Sequence, residues 1–248
     1  MKTIAIIQAR MGSERLPGKV LMDIYGKPML QWVVERVQQA MTIDRVGVAT
    51  TTEPEDDVIM EWAFRQFIPV YRGRPTDVLD RYYQAAHVWH ADPIVRITAD
   101  CPMIDPGVID RVVRRCWDSM WDYVSNVDPP TYPDGLDVEV LRKEALTLAW
   151  LGATLPSDRE HVTPWIRARK AELPQCNVIN DVDLSHLRWT VDTAVDLEFV
   201  QAVYRLTKGR FIMAKILQLL EKHPELAQIN AGQERNEAYL RQVVREQK

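Results

Sequence analysis

The sequence predicts an α/β fold in which a mixed, mostly parallel sheet is flanked by helices. Two observations indicate this fold class. Over the first two thirds of the chain, short runs rich in β-branched residues alternate with segments of helical periodicity. The 248 residues are 46% hydrophobic and 27% charged, which is the ordinary composition of a globular domain with a full hydrophobic core.

The first half of the chain supplies most of the predicted sheet. Strands are predicted at 3–8, 45–50, 70–71 and 93–98. A helix is predicted at 28–40, because Pro28 suits the first turn and the apolar residues after it are spaced for one face. Asp77 is expected to cap a second helix at 77–90, and Asp105 is expected to cap the helix that follows.

The second half of the chain departs from this simple alternation. Further strands are predicted at 122–126 and 136–141, and further helices at 144–151, 159–170 and 195–206. Residues 212–247 predict helices separated by Pro224 and Gly232, and the last of them is mostly polar, which indicates weak packing or contact with a partner chain. We therefore expect a main domain at 1–210 and a helical extension at 211–248.

Charge and cysteine content exclude several classes of protein. The net charge of -4 gives no reason to expect binding to nucleic acid or to a membrane surface, because both usually require a basic excess. Cys101, Cys116 and Cys176 are odd in number and widely spaced, which predicts neither a disulfide framework nor a zinc site. The chain shows no signal segment and no apolar stretch of about 18 residues. We expect a cytoplasmic protein.

The loop at 9–19 follows the first predicted strand and is rich in positive charge. Ligands of open α/β sheets bind beyond the carboxyl ends of the strands, so this loop lies where a ligand is expected. Arg10 and Arg15 offer forked donors to phosphate oxygens, and Lys19 offers a compact charge. The loop is not a Walker A motif, because Val20 stands where Ser or Thr is required. From spacing alone, a solvated basic surface loop is an equal alternative.

Residues 7–19 closely resemble the opening of the sugar-acid cytidylyltransferases, which activate acylneuraminate and deoxy-octulosonate, and in particular the branch of the spore coat polysaccharide biosynthesis protein SpsF. The resemblance extends over residues 3–205. It implies a nucleotide-diphospho-sugar transferase fold of the GT-A-like type, with a nucleotide-binding domain at 1–210. It also implies transfer of CMP from CTP to a keto-deoxy sugar acid, with release of pyrophosphate, in the synthesis of surface polysaccharides or other glycans.

The resemblance also assigns nucleotide-binding roles to residues at the ends of the strands. These residues are Ala9, Arg10, Gly12, Ser13, Arg15, Lys19, Arg72 and Thr98. Arg72 is the expected donor to the base carbonyl or to a neighbouring phosphate. Arg10, Lys19 and Asp100 are the expected catalytic residues.

Asp100 and Asp192 are the acids that the resemblance implies as ligands of Mg²⁺. Nucleotidyl transfer joins two anionic reactants, and Mg²⁺ prefers one or two carboxylates together with phosphate oxygens. Asp100 follows a predicted strand and Asp192 is likewise expected at a strand end, so the two can meet at one edge of the sheet. The structural alternatives are a turn-forming aspartate at Asp100, before Pro102, and a helix cap at Asp192.

The substrate-binding residues are predicted in segments that are typical of the SpsF branch. They are Asp137, Glu139, Arg159, His161 and Arg188. Arg159 or Arg188 could hold the sugar carboxylate in a bidentate manner. His161 could be a base, although a single histidine on a helix more often has a structural role. Relatives of this kind are commonly dimers, so a homodimer is expected, with a dimer arm at 122–141.

Two other functions compete with nucleotidyl transfer. A glycosyltransferase that uses a nucleotide sugar would share the sheet architecture and an acid at a strand end. It usually carries a D-x-D pair, which is absent because Pro102 occupies the required position. A catalytically silent nucleotide-binding or sugar-binding protein is the third possibility, and it would bind CTP without releasing pyrophosphate.

Overall fold

A seven-stranded sheet forms the centre of the molecule. The structure is a computed structural model that describes residues 2–118, 120–233, 235 and 237–246. In spatial order, the strands are β5 (Val70–Gly73), β4 (Arg45–Thr51), β1 (Ile4–Gln8), β6 (Ile94–Thr98), β8 (Glu139–Leu141), β7 (Tyr123–Ser125) and β9 (Gln175–Asn177). A separate two-stranded ribbon contains β2 (Asp23–Ile24) and β3 (Lys27–Pro28).

The sheet is mixed and mostly parallel, which confirms the predicted fold class. Strands β5, β4, β1 and β6 run parallel, and β8 is antiparallel to both of its neighbours β6 and β7. The chain places β4 and β5 on one side of β1 and then returns to place β6 on the other side. The sheet therefore has its topological switch point between β1 and β6, where ligands of such folds bind.

Helices cover both faces of the sheet. They are α1 (Met29–Val37), α2 (Asp57–Arg65), α3 (Val78–Trp89), α4 (Pro106–Trp117), α5 (Lys143–Gly152), α6 (Pro156–His161), α7 (Pro164–Arg167), α8 (Ala194–Thr207), α9 (Met213–Lys222), α10 (Pro224–Gln228) and α11 (Glu237–Glu246). Alternate residues of β1 enter opposite cores, since Ile4 and Ile6 pack with α3 and α5 while Ala5 and Ile7 pack with α1 and α4. No described helix is both long enough and apolar enough to span a membrane.

Helix starts follow the capping signals in the sequence. The Asp77 carboxylate accepts the backbone N–H of Asp80 at 2.9 Å, and the Asp105 carboxylate accepts that of Gly107 at 2.8 Å. Both predicted caps are thus confirmed. Helix α8 begins with a capping box between Thr193 and Asp196.

The predicted helix at 159–170 is wrong as a single element. It is divided into α6 and α7 at Val162, which has a φ of 71°. Pro164 follows at the first position of α7, where its missing N–H cannot continue the preceding helix. Helix α2 and strand β9 were not predicted.

The last third of the chain packs back onto the first half of the fold. The Tyr204 hydroxyl in α8 donates to the Pro102 carbonyl at 2.6 Å, and its ring lies 4.7 Å from that of Trp32. Arg36, which is 2% exposed, donates to the carbonyls of Ile104 and Phe211. The predicted helices beyond residue 211 are observed as α9, α10 and α11, with Gln247 outside the described residues. The domain boundary at residue 210 stays a prediction.

Candidate active site

A cavity of about 430 Å³ opens beyond the carboxyl ends of β1 and β6, at the switch point of the sheet. It brings together most of the residues that were predicted to bind nucleotide and metal, although the loop, the strand ends and the second acid are far apart in sequence. The predicted nucleotide-binding and metal-binding residues that line the cavity are Ala9, Arg10, Ser13, Arg15, Lys19, Thr98, Asp100 and Asp192. His161, which was predicted to bind the sugar, lines it as well.

Lys19 lies at the centre of this site. Gly18, with a φ of 72°, begins the short 3-10 helix that turns the Lys19 side chain inward, where the residue is only 7% exposed. Its Nζ donates to Asp100 Oδ2 at 2.9 Å, to Asp192 Oδ1 at 2.8 Å and to the Val191 carbonyl at 2.8 Å. Burial opposes the charged form, but the two carboxylates outweigh it and raise the pKa of Lys19 above its ordinary value.

Asp100 extends from the end of β6 and is held by the neighbouring strand end. The Thr98 hydroxyl donates to Asp100 Oδ1 at 2.5 Å, and the Asp100 carbonyl accepts the backbone N–H of Val191 at 2.8 Å. The surrounding protein atoms disfavour the carboxylate, but the Lys19 ammonium and the Thr98 hydroxyl lower the pKa of Asp100 to about 2. Asp100 is therefore ionised at neutral pH.

Arg188 holds the Asp192 carboxylate from outside the cavity. It is 8% exposed, and its guanidinium donates to Asp134 at 2.7 Å, to Asp192 at 2.8 Å and to Asp196 at 2.9 Å. Burial would lower its pKa, but these carboxylates raise the pKa of Arg188 above its ordinary value. Arg188 does not line the cavity, and its contacts show a guanidinium already engaged by carboxylates of the chain.

The donor set at Asp100 and Asp192 fits a hard divalent cation. One oxygen of each carboxylate lies within 2.9 Å of the same Lys19 nitrogen, so the two groups face a common position. Two carboxylates leave coordination positions for phosphate oxygens and water, which suits Mg²⁺. Within the described residues, no group of three or more His, Cys, Asp or Glu side chains could enclose a metal.

The loop at 9–19 is anchored to the rest of the fold and carries two more cations into the cavity. The backbone N–H of Met11 donates to Asp56 at 2.6 Å. Arg15 contacts Asp192 and Glu237, each at 3.0 Å, while Arg10 lies 3.7 Å from Glu160 with about half of its side chain exposed.

Several predicted site residues lie outside the cavity. Gly12 is in the loop but faces Glu55, whose Oε1 would lie 2.7 Å from an added Cβ. Arg72 donates to the carbonyls of Thr51 and Glu53 at 2.8 and 3.1 Å, and it contacts Asp57 at 2.7 Å. The structure thus brings neither residue to the cavity wall, and their assigned roles stay predictions.

The predicted sugar-binding residues are likewise dispersed. Arg159 forms a bidentate ion pair with Asp77, with N–O distances of 2.6 and 3.0 Å. Glu139 is 4% exposed and is bonded to Arg96 and Tyr123. Asp137 is paired with Arg235 in the C-terminal segment. Of the five, only His161 lines the cavity.

Helix α11 supplies part of the cavity wall that the sequence did not predict. Glu237 and Gln242 line the cavity, and Gln242 Oε1 lies 2.9 Å from His161 Nε2. The ring of Tyr239 meets that of His161 at 5.0 Å, and Glu246 accepts the Ser157 backbone N–H at 2.7 Å. The polar composition of α11 was the available signal, and the described residues show that these polar groups contact α6.

The cavity wall contains further residues that the sequence did not single out. Among them are Gln8, at the end of β1, and Arg81, in the first turns of α3. Arg81 lies close in sequence to Arg72, the expected donor to the base, and this proximity was the available signal.

Comparison with known proteins identifies the family. The family model described as cytidylyltransferase matches residues 4–242. This chain belongs to the cytidylyltransferase family. The assignment predicted from residues 7–19 is therefore confirmed. Among relatives of this cytidylyltransferase, the spore coat polysaccharide biosynthesis protein SpsF of Bacillus subtilis is 30% identical over 231 residues, covering 90% of this chain and 95% of SpsF.

Solved structures confirm the GT-A-like fold of this cytidylyltransferase. A cytidylyltransferase from Leptospira borgpetersenii has a TM-score of 0.89 and 30% identity, over 95% of this chain and 100% of the other. A CMP:2-keto-3-deoxy-manno-octonic acid synthetase complexed with CTP has a TM-score of 0.63 and 23% identity, over 83% and 99% of the two chains. The latter similarity shows a shared fold.

Proposed function

We propose that this cytidylyltransferase transfers CMP from CTP to a keto-deoxy sugar acid and releases pyrophosphate. One observation carries the proposal: Lys19 lies between Asp100 and Asp192 at the switch point, in a cavity that also contains Arg10 and Arg15. Three cations and two acids at one strand edge provide for a triphosphate and for the divalent cation that accompanies it.

The residues of the chain would act mainly by positioning and by electrostatic stabilisation. Asp100 and Asp192 would hold Mg²⁺, which when bound supplies positive charge to the phosphate oxygens. Lys19, Arg10 and Arg15 neutralise the triphosphate from the loop side. The anomeric hydroxyl of the sugar acid then attacks the α-phosphorus in line, and pyrophosphate leaves without a covalent enzyme intermediate.

The sugar acid is expected next to His161 and α11, the part of the cavity wall that the phosphate-binding loop does not form. Burial lowers the pKa of His161 below its ordinary value, so its imidazole is neutral at pH 7 and can exchange hydrogen bonds with a sugar hydroxyl. Arg159 and Arg188 are both held by carboxylates of the chain, so a sugar carboxylate would compete with Asp77 at the first and with Asp134 at the second.

The similarity to SpsF supports a role in surface polysaccharide or glycan biosynthesis. A homodimer is proposed as well, and light scattering of the purified chain measures the oligomeric state directly. The partners in this proposal are CTP and the sugar acid, with no part for nucleic acid or for a membrane.

Pyrophosphate release tests the proposed reaction. The chain is incubated with Mg²⁺ and CTP, ATP, GTP or UTP, against a panel of eight- and nine-carbon sugar acids and uncharged sugars. We expect release with CTP and a sugar acid. Asp100→Asn should reduce turnover by about 10²- to 10³-fold, whereas Asp183→Asn, on the exposed surface, should not. Transfer from a nucleotide sugar without pyrophosphate release, or wild-type turnover by Asp100→Asn, would contradict the proposal.

A further inference from the structure

Arg81 is a buried cation that makes no side-chain hydrogen bond or ion pair in the described part of the chain, although the carboxylates of Asp56 and Asp77 are near enough to offset part of its charge. It is 2% exposed and lines the cavity, and its Nε and Nη1 atoms have no hydrogen-bond acceptor. Burial, followed by the nearby charge of Arg10, lowers the pKa of Arg81 below its ordinary value. A buried donor that the protein leaves unsatisfied weakens folding, so its retention on a ligand-binding wall indicates that a ligand supplies the acceptor.

Gln8, on the same wall, has a buried acceptor that lacks a hydrogen-bond donor. It is the last residue of β1 and lines the cavity, and its buried Oε1 has no donor in the described part of the chain. The Tyr82 hydroxyl, next to Arg81 in sequence, donates to the Ile6 carbonyl at 3.1 Å, two residues before Gln8. The first turns of α3 therefore lie against the end of β1, and this wall combines donors from Arg81 with an acceptor from Gln8.

The chemical groups of the proposed substrates differ in whether they offer both the acceptor that Arg81 lacks and the donor that Gln8 lacks. Phosphates and carboxylates offer only acceptors, so they could satisfy Arg81 but not Gln8. Cytosine offers both kinds of group along one edge: N3 and O2 accept, and the N4 amino group donates. Arg72 cannot read that edge in the arrangement observed, because its guanidinium is bonded to Thr51, Glu53 and Asp57 outside the cavity.

We propose that Arg81 and Gln8 select the cytosine base, with the Arg81 guanidinium donating to N3 and O2 and the Gln8 carbonyl oxygen accepting from N4. The proposal rests on CTP being the nucleotide substrate. Uracil carries a hydrogen on N3, and an arginine side chain has no acceptor to receive it. Arg81 therefore discriminates CTP from UTP, whereas the Gln8 amide could turn over to suit either base.

Calorimetric titration of the full chain with CTP and UTP in Mg²⁺ tests this assignment without a sugar substrate. We expect the wild-type chain to bind CTP more tightly than UTP. Arg81→Met should weaken CTP binding by about 10- to 100-fold, the range for a bidentate contact to a base, and should bring the two dissociation constants close together. Gln8→Met should weaken CTP binding less than Arg81→Met does.

A matched control and a stability measurement separate base reading from a structural role. Arg74→Met alters an exposed arginine in the same segment and should leave both nucleotide affinities unchanged. The Tm of Arg81→Met without nucleotide should equal or exceed that of the wild type, because the variant no longer buries an unpaired cation.

The outcomes distinguish this inference from the proposed reaction. Unchanged CTP binding by Arg81→Met overturns the inference, and so does an equal loss of CTP and UTP binding, which would assign Arg81 to the phosphates. A lower Tm with equal loss of both nucleotides likewise overturns it in favour of a structural role. A wild-type chain that prefers CTP in an Arg81-dependent manner, yet transfers CMP to no sugar acid, supports the inference and contradicts the proposed acceptor.

Discussion

Buried cations in this chain differ in how their charge is compensated. Within the described residues, they are Lys19, Arg36, Arg81 and Arg188. Lys19 and Arg188 are neutralised by carboxylates, and Arg36 donates to backbone carbonyls. Such partners offset the desolvation of a buried charge, which is otherwise severe. Arg81 has no such direct partner, and Asp56 and Asp77 compensate its charge only from a distance, so its burial favours a ligand that supplies an acceptor.

His161 should make the stability of the chain dependent on pH. Burial lowers its pKa, so the folded state binds a proton less readily than the unfolded state. This contribution to stability is fully present above the unfolded pKa of about 6.5 and is lost as the pH falls through the lower folded value. We therefore expect the Tm difference between the wild type and His161→Asn to be larger at neutral pH than in mild acid.

Thermal unfolding at several pH values measures this difference. Each unit by which the pKa is lowered corresponds to about 1.4 kcal/mol, and each kcal/mol to about 2–4 °C in Tm for a chain of this size. A Tm difference for His161→Asn that is constant with pH would contradict the expectation.

At the scale of single elements, a helix or strand was predicted from the sequence when its apolar residues all face the core, and was missed when they do not. Strands β1, β4 and β6 were predicted because they bury continuous apolar runs. Helix α2 was missed because its apolar residues are divided between faces: Ile59 and Ala63 are buried, while Phe64 is 81% exposed. The three residues of β9, which are Gln175, Cys176 and Asn177, form an edge strand that is too short to give a periodic signal.

The same reasoning applies to the elements of the site. The contribution of the loop at 9–19 to the cavity was predictable because its cations lie within one short segment. Arg81 and the residues of α11 were not, because they reach the cavity only after α3 packs on β1 and α11 packs on α6. Arg72 shows the converse limit, since its position in a matching segment gave no indication that backbone carbonyls and Asp57 would hold it.

Helix α11 should compete with the nucleotide through Glu237. This carboxylate contacts Arg15 at 3.0 Å, so a triphosphate that approaches Arg15 must displace it or be repelled by it. Glu237→Gln should therefore strengthen CTP binding. Both side chains are about 30% exposed, which limits the effect to about 1 kcal/mol, or roughly fivefold in the dissociation constant.

Titration with CTP at low and high ionic strength tests this competition. The gain of Glu237→Gln over the wild type should shrink as salt screens the charges. Glu198→Gln, an exposed change on α8, should have no effect on CTP binding. Weaker CTP binding by Glu237→Gln would show that the carboxylate takes part in ligand binding.

The end of α8 offers a change that should stabilise the fold. Lys208 is the exposed C-cap of this helix, with a φ of 54° and a ψ of 33°, and a left-handed backbone costs an L-residue about 1 kcal/mol. Lys208→Gly should raise the free energy of unfolding by about 0.5–1 kcal/mol, since glycine adopts this conformation readily.

Denaturant unfolding measures this effect against a control of opposite sign. Lys215→Gly alters an exposed lysine inside α9, where glycine should destabilise the helix by about 1 kcal/mol. If both variants lose stability, backbone conformation at Lys208 does not limit α8.

At the scale of the whole molecule, the site joins three regions that are remote in sequence. The loop after β1 provides Lys19, the end of β6 provides Asp100, and the segment before α8 provides Asp192. Asn230 adds a further contact near this site, because its side chain donates to the Arg188 carbonyl at 3.0 Å. Charge compensation at the site therefore contributes to holding the halves of the fold together.

Lys19→Met should make the stability of the fold depend on a divalent cation. The substitution keeps the aliphatic stem but leaves Asp100 and Asp192 to repel each other. Both carboxylates are about a quarter exposed, so we expect a loss of about 3 kcal/mol, at the lower end of the range for breaking a buried ion pair. Added Mg²⁺ should restore part of that loss, because it can take the place of the ammonium between the two carboxylates, while Asp192 keeps its contacts with Arg15 and Arg188.

Thermal unfolding in EDTA and in Mg²⁺, without nucleotide, measures this dependence. The Tm of the wild type should change little between the two conditions, because a cation must compete with the Lys19 ammonium for both acids. The Tm of Lys19→Met should rise with Mg²⁺, whereas Lys27→Met, which breaks a half-exposed pair with Glu35, should lower the Tm slightly and show no such response. A Tm of Lys19→Met that is insensitive to Mg²⁺ would contradict the assignment of Asp100 and Asp192 as the metal-binding pair, since two carboxylates that have lost their shared ammonium should bind the ion that they prefer.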